Sequence, residues 1–172
     1  MSYKNFMQAL ELIKLNHSHY GFAVSQSDFN IKEVERILTL KLPNSYKEFL
    51  KKFGYLDFGS QEIFGITNKW AIDKFIYGDI LSMTLDQRKI NDDPSFPLYL
   101  IPIHALGNGE LSCLDTSQMN EEGECPVVAW YFGATLPNGK LEVLAEDFGA
   151  FLLEKVQCGL ESLEEDGVKV NK

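Results

Sequence analysis

The residues of this chain that could do chemistry are three histidines, three cysteines and a scatter of carboxylates, and their spacing argues against most of it. His17 and His19 stand two apart, a separation that shares no helix face but could share a strand face. The third histidine, His104, is remote in sequence, and no Cys or carboxylate stands near the pair at ligand spacing, so no metal is expected. Cys113, Cys125 and Cys158 are odd in number, widely spaced and form no CxxC pair, which reads as free thiols in a reducing compartment. Gly107-Asn-Gly109 runs into Glu110 rather than a helix start. A carboxylate at the mouth of a phosphate nest would repel the ligand, so this is read as a hairpin turn. Ser112, Asp115 and His104 are the makings of a nucleophilic triad, yet no Gly-x-Ser-x-Gly elbow is present and Ser112 falls mid-strand. Glu110 and Asp115 are the one carboxylate pair to weigh for acid–base work; a strand-end Asp capping a turn is the commoner role. No residue is assigned to catalysis, no cofactor is implied and no enzyme is expected.

The elements that would hold these residues follow from periodicity. Phe6, Ala9, Leu10 and Ile13 make one face of a helix from Tyr3 to Asn16. Asn16 to Gly21 reads as a loop. A second helix starts near Asn30, with Asn30 as cap and Glu33 reaching back, and buries Ile31, Val34 and Leu38. A third starts at Leu42-Pro43, since proline suits the first helical position, and buries Tyr46, Phe49, Leu50 and Phe53 until Gly54 stops it. Gln61–Ile66 reads as a strand and Asp79–Lys89 as a weaker helix. Asn91–Pro94 is a turn, and Leu98–Ile103 and Glu110–Leu114 form a hairpin. Asn120–Glu124 is an exposed acidic loop. Pro126–Phe132 is apolar on both faces, so it is a central or doubly covered strand with Trp130 in the core. Pro137-Asn-Gly139 turns into Lys140–Leu144. A last helix capped by Asp147 buries Phe148, Phe151, Leu152 and Val156, ends at Gly159, and leaves an acidic tail. Helices, then strands, then a helix give an α+β fold. It is one domain over residues 1–172, with a mostly antiparallel sheet and helices from both ends of the chain packed on it.

With 172 residues the chain suits a single core. No apolar run approaches the roughly 20 residues of a membrane span, and the N-terminal stretch lacks the apolar core of a signal peptide, so a cytoplasmic protein is expected. The net charge of −9 is uneven. Residues 1–56 carry eight Lys/Arg and five Asp/Glu, a balance of +3, while residues 57–172 carry eight and twenty, a balance of −12. Such a field repels nucleic acid and anionic lipid and steers a basic protein inward; the alternative reading is a surface that serves solubility alone.

Ile31/Glu35/Leu38, Leu42-Pro43-x-x-Tyr46-x-x-Phe49-Leu50, Gly54, Gly59 and Phe64-Gly65 come in an order that resembles the SUKH superfamily, a group named for yeast cell-wall regulators and their relatives. Thr84-x-x-x-Arg88, Leu100-Ile-Pro102, Gly109, Leu114-Asp115, Pro126-Val-Val-x-Trp130 and Phe148–Leu152 continue the pattern, over roughly residues 28–157 in all. Phe53-Gly54 departs from the Asn-Gly pair often found in the family. The resemblance implies an immunity protein that binds a cognate toxin domain, often a nuclease, and occludes it without turnover; the alternative is a regulatory or scaffold module. A basic toxin partner then gives the charge split a meaning, with no direct nucleic-acid or membrane contact, in a monomer or weak dimer. The expected contact residues are the acidic loop positions Asp57, Glu62, Asp73, Asp79, Glu121, Glu122 and Glu124, with Tyr55 or Trp70 as an aromatic anchor.

Overall fold

Residues 2–67, 75–90, 96–131 and 140–171 are described by a computed structural model. Helix α1 (Ser2–Leu15) buries Phe6, Ala9 and Ile13, the spacing that one helix face requires. Beyond it, His17–His19 is a turn of 3-10 helix rather than irregular loop, and Tyr20–Phe22 is strand β1. Strand β2 (Leu56–Phe58) pairs with β1 on one side and β3 (Gln61–Ile63) on the other, all antiparallel. At three residues each, β1 and β2 are too short to show the alternation by which a strand is recognised. The strand expected over Gln61–Ile66 ends at Ile63, and Gly65 makes only an isolated parallel bridge to Asp79.

Helix α2 (Asp28–Leu38) starts two residues before the expected point. Its cap is Ser27, whose hydroxyl accepts the Asn30 N–H at 3.2 Å. Asn30 therefore lies inside the first turn, and Glu33 pairs with Arg36 at 3.0 Å instead of closing a capping box. Helix α3 (Asn44–Phe53) has Pro43 one position before its first residue, and Gly54 ends it at φ +68°, its N–H on the Leu50 carbonyl. Tyr46, Phe49 and Leu50 are fully buried, whereas Phe53 is only half-buried. The Tyr46 hydroxyl donates to the Phe64 carbonyl at 2.6 Å, tying α3 to the chain after β3.

Helix α4 (Ile80–Ile90) packs on β4 (Leu100–Ala105). With β5 (Glu110–Asp115), β6 (Val127–Tyr131) and β7 (Val143–Ala145), β4 forms a second antiparallel sheet in the order β4-β5-β6-β7. The Phe64 N–H on the Ile103 carbonyl (2.8 Å) links the two sheets. β6 is internal and covered on both faces. Val127 belongs to the main core, while Val128 and Trp130 join Phe96, Leu100, Leu111 and Cys113 in a smaller one, where Phe96 meets Trp130 edge-on at 4.9 Å. The expected turns at Asn91–Pro94 and Pro137–Gly139, and Phe132, lie outside the described residues.

Helix α5 (Phe148–Glu165), capped by Asp147 through the Ala150 N–H at 2.8 Å, packs on α1, α3, β3 and β7. It does not stop at Gly159. A Cβ there would lie 2.6 Å from the Phe58 ring, and one on Gly59 would lie 2.6 Å from the Gly159 carbonyl oxygen. Gly159 is thus a packing glycine that lets the β2–β3 turn rest on the helix, not a terminator. The tail after α5 is held too. The Asn16 side chain donates to the Asn171 carbonyl (2.8 Å) and accepts the Asn171 N–H (2.7 Å), so the acidic tail returns to the end of α1.

Candidate functional site

The strands β4 and β5 set Ser112 opposite His104, with Nδ1 3.3 Å from the hydroxyl, and both are buried. Asp115 is three residues further on, roughly 10 Å along the strand. Its carboxylate accepts the Ser117 N–H (3.1 Å) and hydroxyl (2.6 Å), capping the 3-10 turn Thr116–Gln118. Glu110 lies at the opposite end of β5, five residues and roughly 17 Å from Asp115. The fold therefore assembles neither the triad nor the acid–base pair. Burial pushes the Cys113 thiol well up and Cys125 up to about 12, so both are poor nucleophiles. Among the described residues no group of three His, Cys, Asp or Glu is placed to hold a metal, and no helix is long and apolar enough to cross a membrane.

The carboxylates expected at a partner surface divide into two kinds. Asp79 and Glu124 are buried and work inside the fold, which corrects their assignment to exposed loops. Asp79 stands just before α4. It accepts the Ser82 N–H on one oxygen and the Thr67 N–H on the other, both at 3.0 Å, so it caps the helix and holds the chain that follows β3. Glu124 does the same for α3, accepting the Ser45 N–H at 2.9 Å and the Ser45 hydroxyl at 2.6 Å. A sequence cue existed for Asp79, an Asp directly before an apolar helix. None existed for Glu124, whose partner is 79 residues away.

Glu124 gives a direct test. Burial raises its pKa, an effect that the two Ser45 hydrogen bonds oppose. Glu124→Ala leaves a buried N–H and hydroxyl unpaired and is expected to cost about 2–3 kcal/mol in urea denaturation. Glu124→Gln keeps an acceptor and loses a charge that burial already disfavours, so its cost should be about 1 kcal/mol or less.

The other acidic positions are accessible. Glu121 and Glu122 are exposed on a turn fastened to the start of α3, where Asn44 donates its N–H to the Gly123 carbonyl (2.9 Å) and its amide to the Glu122 carbonyl (2.8 Å). Tyr55, Asp57 and Glu62 come together beyond the other end of α3, so the ten-residue helix holds the two groups about 15 Å apart. Trp70 and Asp73 lie outside the described residues.

Asp57 and Glu62 are directly opposed across β2 and β3, on the face away from buried Leu56, Phe58 and Ile63. Neither has a Lys or Arg at ion-pair distance among the described residues, whereas the pairs Arg36–Glu33, Lys41–Glu35, Lys51–Asp28 and Lys51–Glu48 cluster around α2 and α3. Like charges set opposite each other cost a sheet about 0.2–1 kcal/mol. Tyr55 and Tyr77 both stand near the Glu62 carboxylate, and burial first, then the Glu62 charge, raises both phenol pKa values. Tyr77 is more than half exposed and meets Phe64 edge-on at 5.2 Å. Gly78, at φ +80°, leaves room for the Tyr55 ring, which a Cβ would approach to 3.0 Å. Tyr77 was missed from sequence, because only the fold carries it beside Tyr55. The assembled patch is two tyrosines around two uncompensated carboxylates.

The same architecture occurs elsewhere. The crystal structure of a protein from Pseudomonas syringae pv. tomato superposes with a TM-score of 0.56 at 19% identity, covering 92% of this chain and 98% of that one, a likeness of fold alone. The SUKH_5 model, described as SMI1-KNR4 cell-wall, matches residues 8–157. That match begins well upstream of residue 28 and takes in most of α1, in keeping with the packing of α1 on α5. By that match the chain belongs to the SUKH_5 (SMI1-KNR4 cell-wall) family.

Proposed function

We propose that this protein is a cytoplasmic immunity protein that binds a cognate toxin domain, a nuclease, and silences it by occlusion without turnover. The observation that carries the reading is the pair Asp57/Glu62, opposed without a basic partner among the described residues and bracketed by Tyr55 and Tyr77. A nuclease must present a basic groove to its substrate. Two unpaired carboxylates beside tyrosine rings are a fit for such cations, and tyrosines give large contact area at low entropic cost. The exposed Glu121 and Glu122 add to the same field at longer range. Membership of the family and the acidic balance downstream of residue 56 support the reading.

The test is co-expression with the product of the neighbouring gene, followed by titration of the purified pair. Growth rescue and a 1:1 complex are expected. Asp57→Lys with Glu62→Lys should weaken binding by about two orders of magnitude, since it places like charges across the contact. If no neighbouring gene product binds, and pull-down returns only host proteins, a regulatory module is the better description.

A further inference from the structure

Helix α1 carries a second apolar stripe that is largely exposed, with only Leu10 at its edge packed against the core. Tyr3, Met7 and Leu10 recur at i, i+4, i+7, with Tyr3 68% and Met7 46% exposed. Met7, Leu10 and Leu15 meet Phe53, at the end of α3, along a groove of about 890 Å³. Phe22, half-exposed on β1, stacks on Phe53 at 5.7 Å and extends the apolar floor to the free edge of the three-stranded sheet. Lys4, Lys14 and Lys52 rim the groove against a single carboxylate, Glu11, and none of the three lysines forms an ion pair with a described residue. A continuous apolar strip of this kind marks an interaction surface.

The chain itself carries the complement. Phe75 and Tyr77 are each more than half exposed, and Tyr77 stands beside the uncompensated Glu62, which faces Asp57 across the strand pair. An apolar floor edged by three lysines and one carboxylate, and exposed aromatics edged by unpaired carboxylates, are opposite in net sign. Gly21, Asp57 and Glu62 lie on one face of the β1–β2–β3 sheet, while Tyr20 and Phe22 lie on the other. One chain therefore cannot fold its own knob into its own groove. Both features nevertheless sit just around the end of α3, so a two-fold contact between copies can use each of them twice.

We infer that the groove between α1 and the end of α3 receives the Phe75/Tyr77 knob of a second copy of this chain, giving a weak, reciprocal, salt-sensitive dimer. The lysines argue against groove-on-groove pairing, which would set Lys14 against Lys14. The contact covers the same tyrosines and carboxylates proposed above for the toxin, so the dimer would be a resting form that a tighter partner displaces. The inference does not depend on that reading, because the copies pair by their own complementarity.

Sedimentation equilibrium on the full chain, from micromolar to high micromolar, tests it. A monomer–dimer equilibrium is expected, weakening about tenfold or more as salt rises from roughly 0.05 to 0.5 M. Lys14→Glu and Asp57→Lys, both at exposed positions, should each be monomeric, with circular dichroism melts like the parent. An equimolar mixture of the two should regain a heterodimer, since the swapped charges attract in one of the two symmetric contacts. A monomer at every concentration overturns the inference. So does a dimer indifferent to both substitutions, or a mixture that stays monomeric. Toxin binding separates the two proposals: Lys14→Glu should still neutralise, whereas Asp57→Lys should lose both activities.

Discussion

Gly65→Ala is expected to leave the protein unfolded or insoluble at 25 °C. A Cβ on Gly65 would lie 1.7 Å from the Gly54 carbonyl oxygen and 2.7 Å from its carbon, both backbone atoms that no rotamer change can move. The segment cannot drift away either. The Ile66 N–H is held by that same Gly54 carbonyl at 2.8 Å, the Gly65 N–H by the Gly78 carbonyl at 3.0 Å, and the Gly65 carbonyl by the Ile80 N–H at 2.8 Å. Relief of the clash breaks several of these buried bonds and disturbs the starts of both α4 and the Tyr46–Phe64 tie. The sum exceeds the roughly 4–5 kcal/mol that marks an exceptional single substitution and approaches the whole stability of a domain. Circular dichroism and soluble yield report it. Gly107→Ala is the control. Unlike Gly65 it has a positive φ, of 82°, but nothing lies within 4 Å of its Cβ, so only about 1–2 kcal/mol of backbone strain is expected. If the two variants are equally stable, the close approach of Gly65 to Gly54 is wrong.

The second large effect is a loss of stability in mild acid. His104 is buried against the Phe151 ring at 5.8 Å, and burial first, then the nearby Lys155 charge, pushes its pKa down from 6.5 to about 4. The folded protein keeps the ring neutral in a range where the unfolded chain protonates it. Stability from this group is therefore full above about pH 6.5, falls as pH drops toward 4, and changes no further below that. The whole swing is about 3 kcal/mol, at about 1.4 kcal/mol per pH unit. Urea melts of the parent and His104→Gln, which keeps a partner for Ser112 but cannot titrate, isolate the effect from the carboxylates. The stability difference between them should shift by about 2–3 kcal/mol between pH 7 and 4.5. A difference constant across that range would show that His104 is protonated as readily in the fold as outside it.

What could be read from the chain alone depended on range. The stripes of α1, α2 and α3 were legible because each helix announces its own buried face, and the β4–β5 hairpin because its turn glycines and flanking apolar runs are contiguous. The Asn30 cap was misplaced by three residues because Ser27 and Asn30 are both good caps, and only the backbone chooses between them. Gly159 was read as a helix stop because glycine usually is one; its real partners, Gly59 and Phe58, are a hundred residues away in the chain. The acidic positions show the same limit more sharply. Charge and loop position found Asp57 and Glu62, but the same argument swept in Asp79 and Glu124, whose hydrogen-bond partners bury them. Tyr77 escaped notice because its importance lies entirely in sharing Glu62 with Tyr55.

The clasp between Asn16 and Asn171 spans 155 residues, and α5 supplies the surface on which α1, α3 and the β2–β3 turn all rest. During synthesis, then, α1 and α3 emerge before the helix that covers their shared apolar side. Closing so long a loop adds to the entropic barrier of a fold rich in distant contacts. Removal of α5 is expected to take away the surface that α1, α3 and the β2–β3 turn share, and with it the fold.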